Sequence, residues 1–144
     1  MSVADILKTK GSAVKTVRPN EPAQIFAQRL RAERIGAMVV TNDEGAIEGI
    51  ISERDLAYGL ASYGSRLPNV PVSELMTKAV ITCTLKDSLG EVIKVMTQRR
   101  IRHLPVKDGQ QLVGIITIGD VLKHRLDEMQ FEANVLRDYA IARG

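Results

Sequence analysis

One short pattern occurs twice in this 144-residue chain, and that repetition limits what the chain can fold into more than any other feature. Residues 49–55 read G-I-I-S-E-R-D, and residues 114–120 read G-I-I-T-I-G-D. In each copy a glycine precedes an apolar β-branched pair, Ile50 and Ile51 or Ile115 and Ile116, which suits a buried strand. A hydroxyl follows, Ser52 or Thr117, and three positions later comes Asp55 or Asp120. The S/T-x-x-D spacing then runs into Leu56, Tyr58 and Leu60, or into Val121 and Leu122, as a helix N-terminus does. A duplicated strand-to-helix corner implies a duplicated unit.

Two roles suit such a corner. In the first it is a capping box, with the hydroxyl accepting an early helical N–H and the aspartate at the positive end of the dipole. In the second the helix start faces a ligand cleft, where free amides attract a phosphate and a carboxylate in the first turn accepts both hydroxyl protons of a ribose. The corner alone is compatible with either role.

The rest of the chain repeats in the same order. Ser2 to Lys8 carries Val3, Ile6 and Leu7 at helical spacing, a short opening helix, and Gly11 ends it. Ala13 to Val17 reads as a strand, and Asn20 is placed to cap a helix with Pro22 in its first turn and a core face of Ile25, Phe26 and Leu30. Ile35 to Val40 is a buried strand, N-D-E-G-A a hairpin turn, Ile47 to Ser52 its partner, and Glu53 to about Ala61 a helix. Gly64, Pro68 and Pro71 then mark a boundary. Val72 to Met76, Val80 to Cys83, a capping box Ser88-x-x-Glu91 with Leu89, Val92, Ile93 and Met96 on one helix face, and Ile101 to Val106 replay the order. Val14 and Val80, Ile35 and Ile101, and Val40 and Val106 are each 66 apart, whereas Gly49 and Gly114 are 65 apart. The missing residue falls at the hairpin turn, where length changes are tolerated.

Beyond Asp120 the last helix outruns its counterpart. Leu122, Leu126, Met129, Ala133, Leu136 and Ala140 alternate steps of four and three, a narrow apolar seam. A sixty-residue unit has little surface left to cover it, so the seam is expected to contact a second subunit.

Composition excludes several classes. The 20 basic and 17 acidic residues are interspersed, with no cationic tail for nucleic acid, and aromatics are only 3%. The Arg99, Arg100, Arg102 cluster therefore has few aromatics to help it hold RNA. No apolar run approaches the roughly 18 residues of a membrane span, the N-terminus has no signal-peptide shape, and the lone Cys83 fits a reducing cytoplasm. Neither G-x-x-x-x-G-K-[ST] nor G-x-G-x-x-G is present. His103 has no second catalytic group at a telling spacing, and His124 is expected on a solvated helix face. Met38, Met76, Met96 and Met129 read as core fillers rather than a soft-metal site, so no metal site is expected.

The duplicated helix-strand-helix-strand-strand-helix order, the h-x-G-h-h-[ST]-x-x-D corners and R-I-R-H-L-P-V on the second middle strand together resemble a tandem pair of CBS domains. Such a pair, or Bateman module, is the regulatory part of cystathionine beta-synthase, IMP dehydrogenase and the AMP-activated kinase gamma subunit. The resemblance covers residues 3 to 126. It implies an α/β (α+β) fold of two pseudo-symmetric CBS repeats, residues 1–68 and 69–126, each a small, mostly antiparallel sheet with two packed helices. A C-terminal helix extension, 127–144, follows.

The resemblance also implies two clefts for adenosine-containing ligands, each mixing one repeat's corner with the other's first two strands. The first would use Ser52, Arg54 and Asp55 with Val80, Ile81, Ile101, Arg102, His103 and Pro105. The second would use Thr117, Gly119 and Asp120 with Ser12, Ala13, Val14, Ile35, Gly36 and Ala37. Arg54, Arg102 and His103 make the first cleft the more cationic. Val39 stands where the second repeat has Pro105, a departure from the usual pattern.

The expected ligand is AMP, with NAD(H) or ATP as alternatives, and the expected role a non-enzymatic sensor. It would be homodimeric and cytoplasmic, with no catalytic cofactor. Without an attached catalytic or channel domain, it would act as a separate subunit on a target enzyme or transporter. The competing class is a structural or scaffolding dimer whose clefts have lost their ligands and whose corners survive as caps.

Overall fold

The structure is a computed structural model that describes residues 1–143. Helix α1 (Val3–Lys10) leads into β1 (Thr16–Val17), α2 (Ala23–Glu33), the hairpin β2 (Ala37–Thr41) and β3 (Ile47–Ser52), and α3 (Glu53–Tyr63). A 3-10 stretch over Gly64–Asn69 joins this half to α4 (Val72–Leu75), β4 (Cys83–Thr84), α5 (Leu89–Arg99), the hairpin β5 (His103–Asp108) and β6 (Gln111–Thr117), and α6 (Ile118–Arg143). Each half holds a three-stranded sheet, ordered β1-β2-β3 or β4-β5-β6, with a parallel first pair and an antiparallel second pair. The expected α+β architecture of two repeats and a long last helix is present.

The cores group across the halves. Val3, Ile6 and Leu7 of α1 are buried with Leu89, Val92, Met96, Leu104, Val106, Ile116 and Val121, which belong to the second half. Val72 of α4 is buried with Val17, Phe26, Met38 and Ile51 of the first, and Leu75 and Met76 pack beside it. Each opening helix therefore completes the other repeat's core, which ties two marginal units into one.

The motif glycines make this crossing possible. A Cβ built on Gly49 would lie 2.7 Å from Met76 Sδ and 2.8 Å from the Thr77 carbonyl; one on Gly114 would lie 2.8 Å from Leu7 Cδ1. Both glycines are required by close approach rather than by backbone angle. The crossing segments also close backbone gaps. Val70 O accepts the Ala23 amide at 2.8 Å, and Glu21 O accepts the Val72 amide at 2.9 Å.

Several element boundaries differ from the sequence expectation. Asn20 does not cap α2; the helix starts after Pro22, and its Ala23 amide is satisfied by Val70 from the other half. Ala13, Val14, Val80 and Ile81 run outside the ladder, because parallel pairing begins only at Thr16 with Val39 and at Cys83 with Val106. Ile35 and Ile101 precede their strands, since Arg34 and Arg100 adopt left-handed φ of 54° and the amides of Ile35 and Ile101 still bond to the helix just ended.

Ile25 is exposed rather than core, and Met129 lies on the exposed seam rather than in a core. His124 is buried, not solvated, with Nδ1 3.3 Å from Met1 Sδ. It shares with Val121 the face of α6 turned to the second core.

Truncating Ile6, fully buried, should cost about 2–5 kcal/mol in urea unfolding. In native-state hydrogen exchange the loss of protection should be largest in β5 and β6, not in the β2–β3 hairpin nearer in sequence. The reverse distribution would contradict the crossed cores.

Candidate functional site

At both corners the strand ends as the helix begins, and the aspartate turns back on the chain. Asp55 Oδ2 accepts the Ser52 amide at 2.8 Å and the Ser52 hydroxyl at 3.3 Å. Asp120 Oδ2 accepts the Thr117 amide at 2.9 Å, while Thr117 Oγ1 accepts the Asp120 amide at 3.1 Å. The first helical amides reach into the neighbouring strand entries, Glu53 N–H to Gly36 O at 3.0 Å and Ile118 N–H to Arg102 O at 2.9 Å. Capping is therefore real at both corners. It does not consume them, because an ionised carboxyl has about four acceptor sites.

The first corner opens onto a hollow of about 230 Å³. Ser52 at the end of β3 and Arg54 and Asp55 of α3 line it, with Ile81, Ile101, Arg102 and His103 from the second half. Two members of the expected set stand off its wall. Val80 is half-buried and outside the lining, and Pro105 is buried in the sheet opposite Ile115. Gly36 and Ala37, expected in the second cleft, line this first hollow instead. They are the entry to β2, and a Cβ on Gly36 would sit 3.4 Å from both Glu53 Oε1 and His103 Nε2.

Sequence reasoning missed Ile50, Glu53, Thr77, Ala79 and Arg100, which complete the wall. Thr77 was findable only through Gly49, whose missing side chain marks where Met76 and Thr77 cross and where Thr77 bridges Ile50 with paired bonds of 2.9 and 3.0 Å. Arg100 was visible only as part of a basic cluster. Its left-handed conformation at the end of α5 turns the chain so that residues 100–103 pass the hollow.

The second set is not gathered in the same way. Ser12 and Val14 border a separate wide hollow of about 670 Å³ with Thr16, Arg18 and the two hairpin turns. Ala13 is exposed, and Ile35 packs on the first core. Thr117, Gly119 and Asp120 line neither hollow. Asp120 instead receives the Lys10 ammonium at 2.6 Å, and the same ammonium donates to Ile115 O at 2.7 Å.

Charge also separates the corners. Arg54, Arg100 and Arg102 converge on the first hollow, and among the described residues none forms an ion pair within 4.0 Å. Three uncompensated guanidinium groups, beside the carboxyls of Glu53 and Asp55, suit a ligand with an anionic end and a hydroxylated one. Burial holds the His103 imidazole below its ordinary value of 6.5, against the opposing pull of Glu53. At Asp120 burial pulls the carboxyl up, but the bonds from Lys10 and Thr117 outweigh it and the group lies below the usual carboxylate range. Cys83 is buried, its thiol pushed up to about 12 by desolvation and Asp87, so it is not a nucleophile here. No group of three or more metal-ligating side chains is assembled among the described residues.

A duplicated unit with crossed cores and a cationic hollow between its halves defines a paired-repeat module. The chain belongs to the CBS-domain family: the CBS domain profile matches residues 3–62 and 72–127. It is 33% identical over 125 residues to the CBS domain-containing protein YhcV of Bacillus subtilis, covering 87% of this chain and 86% of that one. The fold is similar to that of the CBS-domain-containing protein ATU1752 from Agrobacterium tumefaciens, with TM-score 0.85, 41% identity and coverage of 87% and 99%. It is also similar to the CBS domain pair of protein MJ0100, solved with methylthioadenosine and S-adenosyl-L-methionine, with TM-score 0.78, 26% identity and coverage of 89% and 98%.

Because unfolding frees the His103 imidazole, the unfolded chain binds the extra proton between the depressed folded value and 6.5. Stability from this group is complete above 6.5 and falls as pH drops through that window. The melting temperature should therefore decline from pH 7 to pH 5.5 more in the wild type than in His103→Gln. Equal declines would assign the effect to other groups.

Proposed function

We propose that this chain is a non-catalytic regulatory module that binds an adenine nucleotide, AMP first, with NAD(H) or ATP as alternatives. The observation that carries this reading is the first hollow. Its lining joins the Asp55 carboxyl, Arg54, Arg100, Arg102, Ile50, Ile81 and Ile101, which supports a reading in which Asp55 holds ribose hydroxyls, the arginines meet phosphate oxygens and the isoleucines face adenine. The adenosine-type ligands of the MJ0100 pair support the same chemistry. Occupancy signals to a target enzyme or transporter only if the ligand prefers one of two conformations of the module.

The same reading includes a cytoplasmic homodimer. Leu126 and Leu136 are 64% and 69% exposed on α6, and Leu122 and Met129 lie open on the same seam. At 26 residues α6 is about 39 Å long, with its outer turns beyond either core. No helix is long and apolar enough to cross a membrane among the described residues. The scaffolding alternative draws support from one feature, the capture of Asp120 by Lys10.

AMP at millimolar concentration should raise the melting temperature in a dye-based thermal scan, with ATP and NADH compared in parallel. Asp55→Asn should weaken AMP at least tenfold while leaving ligand-free melting nearly unchanged, since the amide oxygen still accepts the Ser52 N–H. No shift with any of these nucleotides would refute the sensor and favour the scaffold. For the dimer, light scattering should give twice the chain mass for the wild type and the single-chain mass for Leu126→Glu/Leu136→Glu.

A further inference from the structure

The two halves part company at the segment that follows each opening helix. In the first corner Ile50 is bridged by the backbone of Thr77, and among the described residues no cation pairs with Asp55 within 4.0 Å. In the second, Lys10 takes over that place. Its ammonium spans Ile115 O at 2.7 Å and Asp120 Oδ2 at 2.6 Å. Ile115 corresponds to Ile50 and Asp120 to Asp55 in the repeat.

Lys10 is set there by its helix. Val3, Ile6 and Leu7 anchor α1 in the second core, and Leu7 lies against Gly114. Helix α1 runs to Lys10, where the dipole favours a cation, and Gly11 ends it with φ 98°. The shorter α4 stops at Leu75, and Met76 fills the notch at Gly49 as Leu7 fills that at Gly114, so the added turn that carries Lys10 has no helical counterpart in the other half.

We propose that Lys10 is an intramolecular plug of the second cleft, a built-in cation that closes the Asp120 corner until a nucleotide displaces it. This rests on the nucleotide reading above and deepens it, since it makes the two clefts unequal by construction. The first is open in the ligand-free chain. The second admits a ligand only when the Lys10 ammonium gives up both its bonds. The ion pair is partly exposed, its side chains 30% and 24% accessible, so closure is reversible rather than permanent. Displacing Lys10 frees the end of α1 next to the second core, so filling this cleft is coupled to the position of the opening helix.

The test is isothermal titration of AMP into the wild type and Lys10→Met, each also in an Asp55→Asn background that weakens the first cleft. Methionine keeps the stem and the helix but removes both bonds. The expected result is second-cleft binding about tenfold tighter in Lys10→Met than in the wild type, with first-cleft affinity unchanged. Lys10→Arg should retain the wild-type weakness.

Weaker second-cleft binding in Lys10→Met would make Lys10 a phosphate contact and overturn the plug. Unchanged binding would make it a bystander and overturn it equally. First-cleft binding in both proteins without any gain in Lys10→Met sinks the plug and leaves the proposed function standing. Absence of binding in both proteins sinks the two together. A gain confined to Lys10→Met, with the first cleft silent, sustains the plug while removing the first-cleft reading.

Discussion

The fold depends on two short helices lying across two glycines. Without room at Gly49 for Met76 and Thr77, or at Gly114 for Leu7, the opening helices could not reach the opposite sheets. Each core would then lose the side chains that close its end: Val3, Ile6 and Leu7 in one, Val72 in the other. A sixty-residue unit buries too little surface to stand alone with confidence of folding. The crossing joins two such units through shared cores, in which neither half is complete without the other.

That crossing also determines where the first hollow lies. The segments that leave α1 and α4 must pass the strand-to-helix corner of the opposite repeat before they join their own sheets at Thr16 and Cys83. The segment after α4 therefore forms a wall beside the start of α3, joined to β3 by the Thr77–Ile50 bridge. Between wall and corner lies space whose floor is the entry to the middle strands, Gly36–Ala37 and Arg102–His103. Because those entries meet between the halves, Gly36 and Ala37 serve the first hollow although they belong to the first repeat's own sheet.

Much of this was legible from spacing, and the exceptions share a cause. Periodicity and the repeated corner located β3, α3, α5 and the caps, because those elements are decided by local chemistry: Ser52 with Asp55, Thr117 with Asp120, Ser88 with the Glu91 amide at 3.1 Å. What failed was decided by contacts from distant chain. The start of α2 is set by Val70, the burial of His124 by the packing of α6 on the second core, and the capture of Asp120 by a lysine 110 residues away. The site residues followed the same rule. Ser52, Arg54 and Asp55 are carried by the motif itself, whereas Thr77, Ala79 and Arg100 reach the hollow only through the crossing and through a left-handed turn that no periodicity encodes.

The asymmetry of the two corners bears on what a duplicated chain can do. Identical repeats would offer two equal sites and respond to ligand concentration over a single range. Here α1 runs about one turn further than α4, and that turn brings the Lys10 ammonium to Asp120, whereas α4 ends before any such side chain. A carboxylate that answers to its own lysine must exchange one cation-assisted bond for those of a ligand. A carboxylate facing an open hollow does not. On the proposed reading the two corners would differ in the free energy of occupation while sharing the cap geometry. A ligand that filled the second would also loosen the hold on α1, the helix on which the second core depends. Unequal affinity and mechanical coupling would then have one origin, the extra turn that carries Lys10 to Asp120.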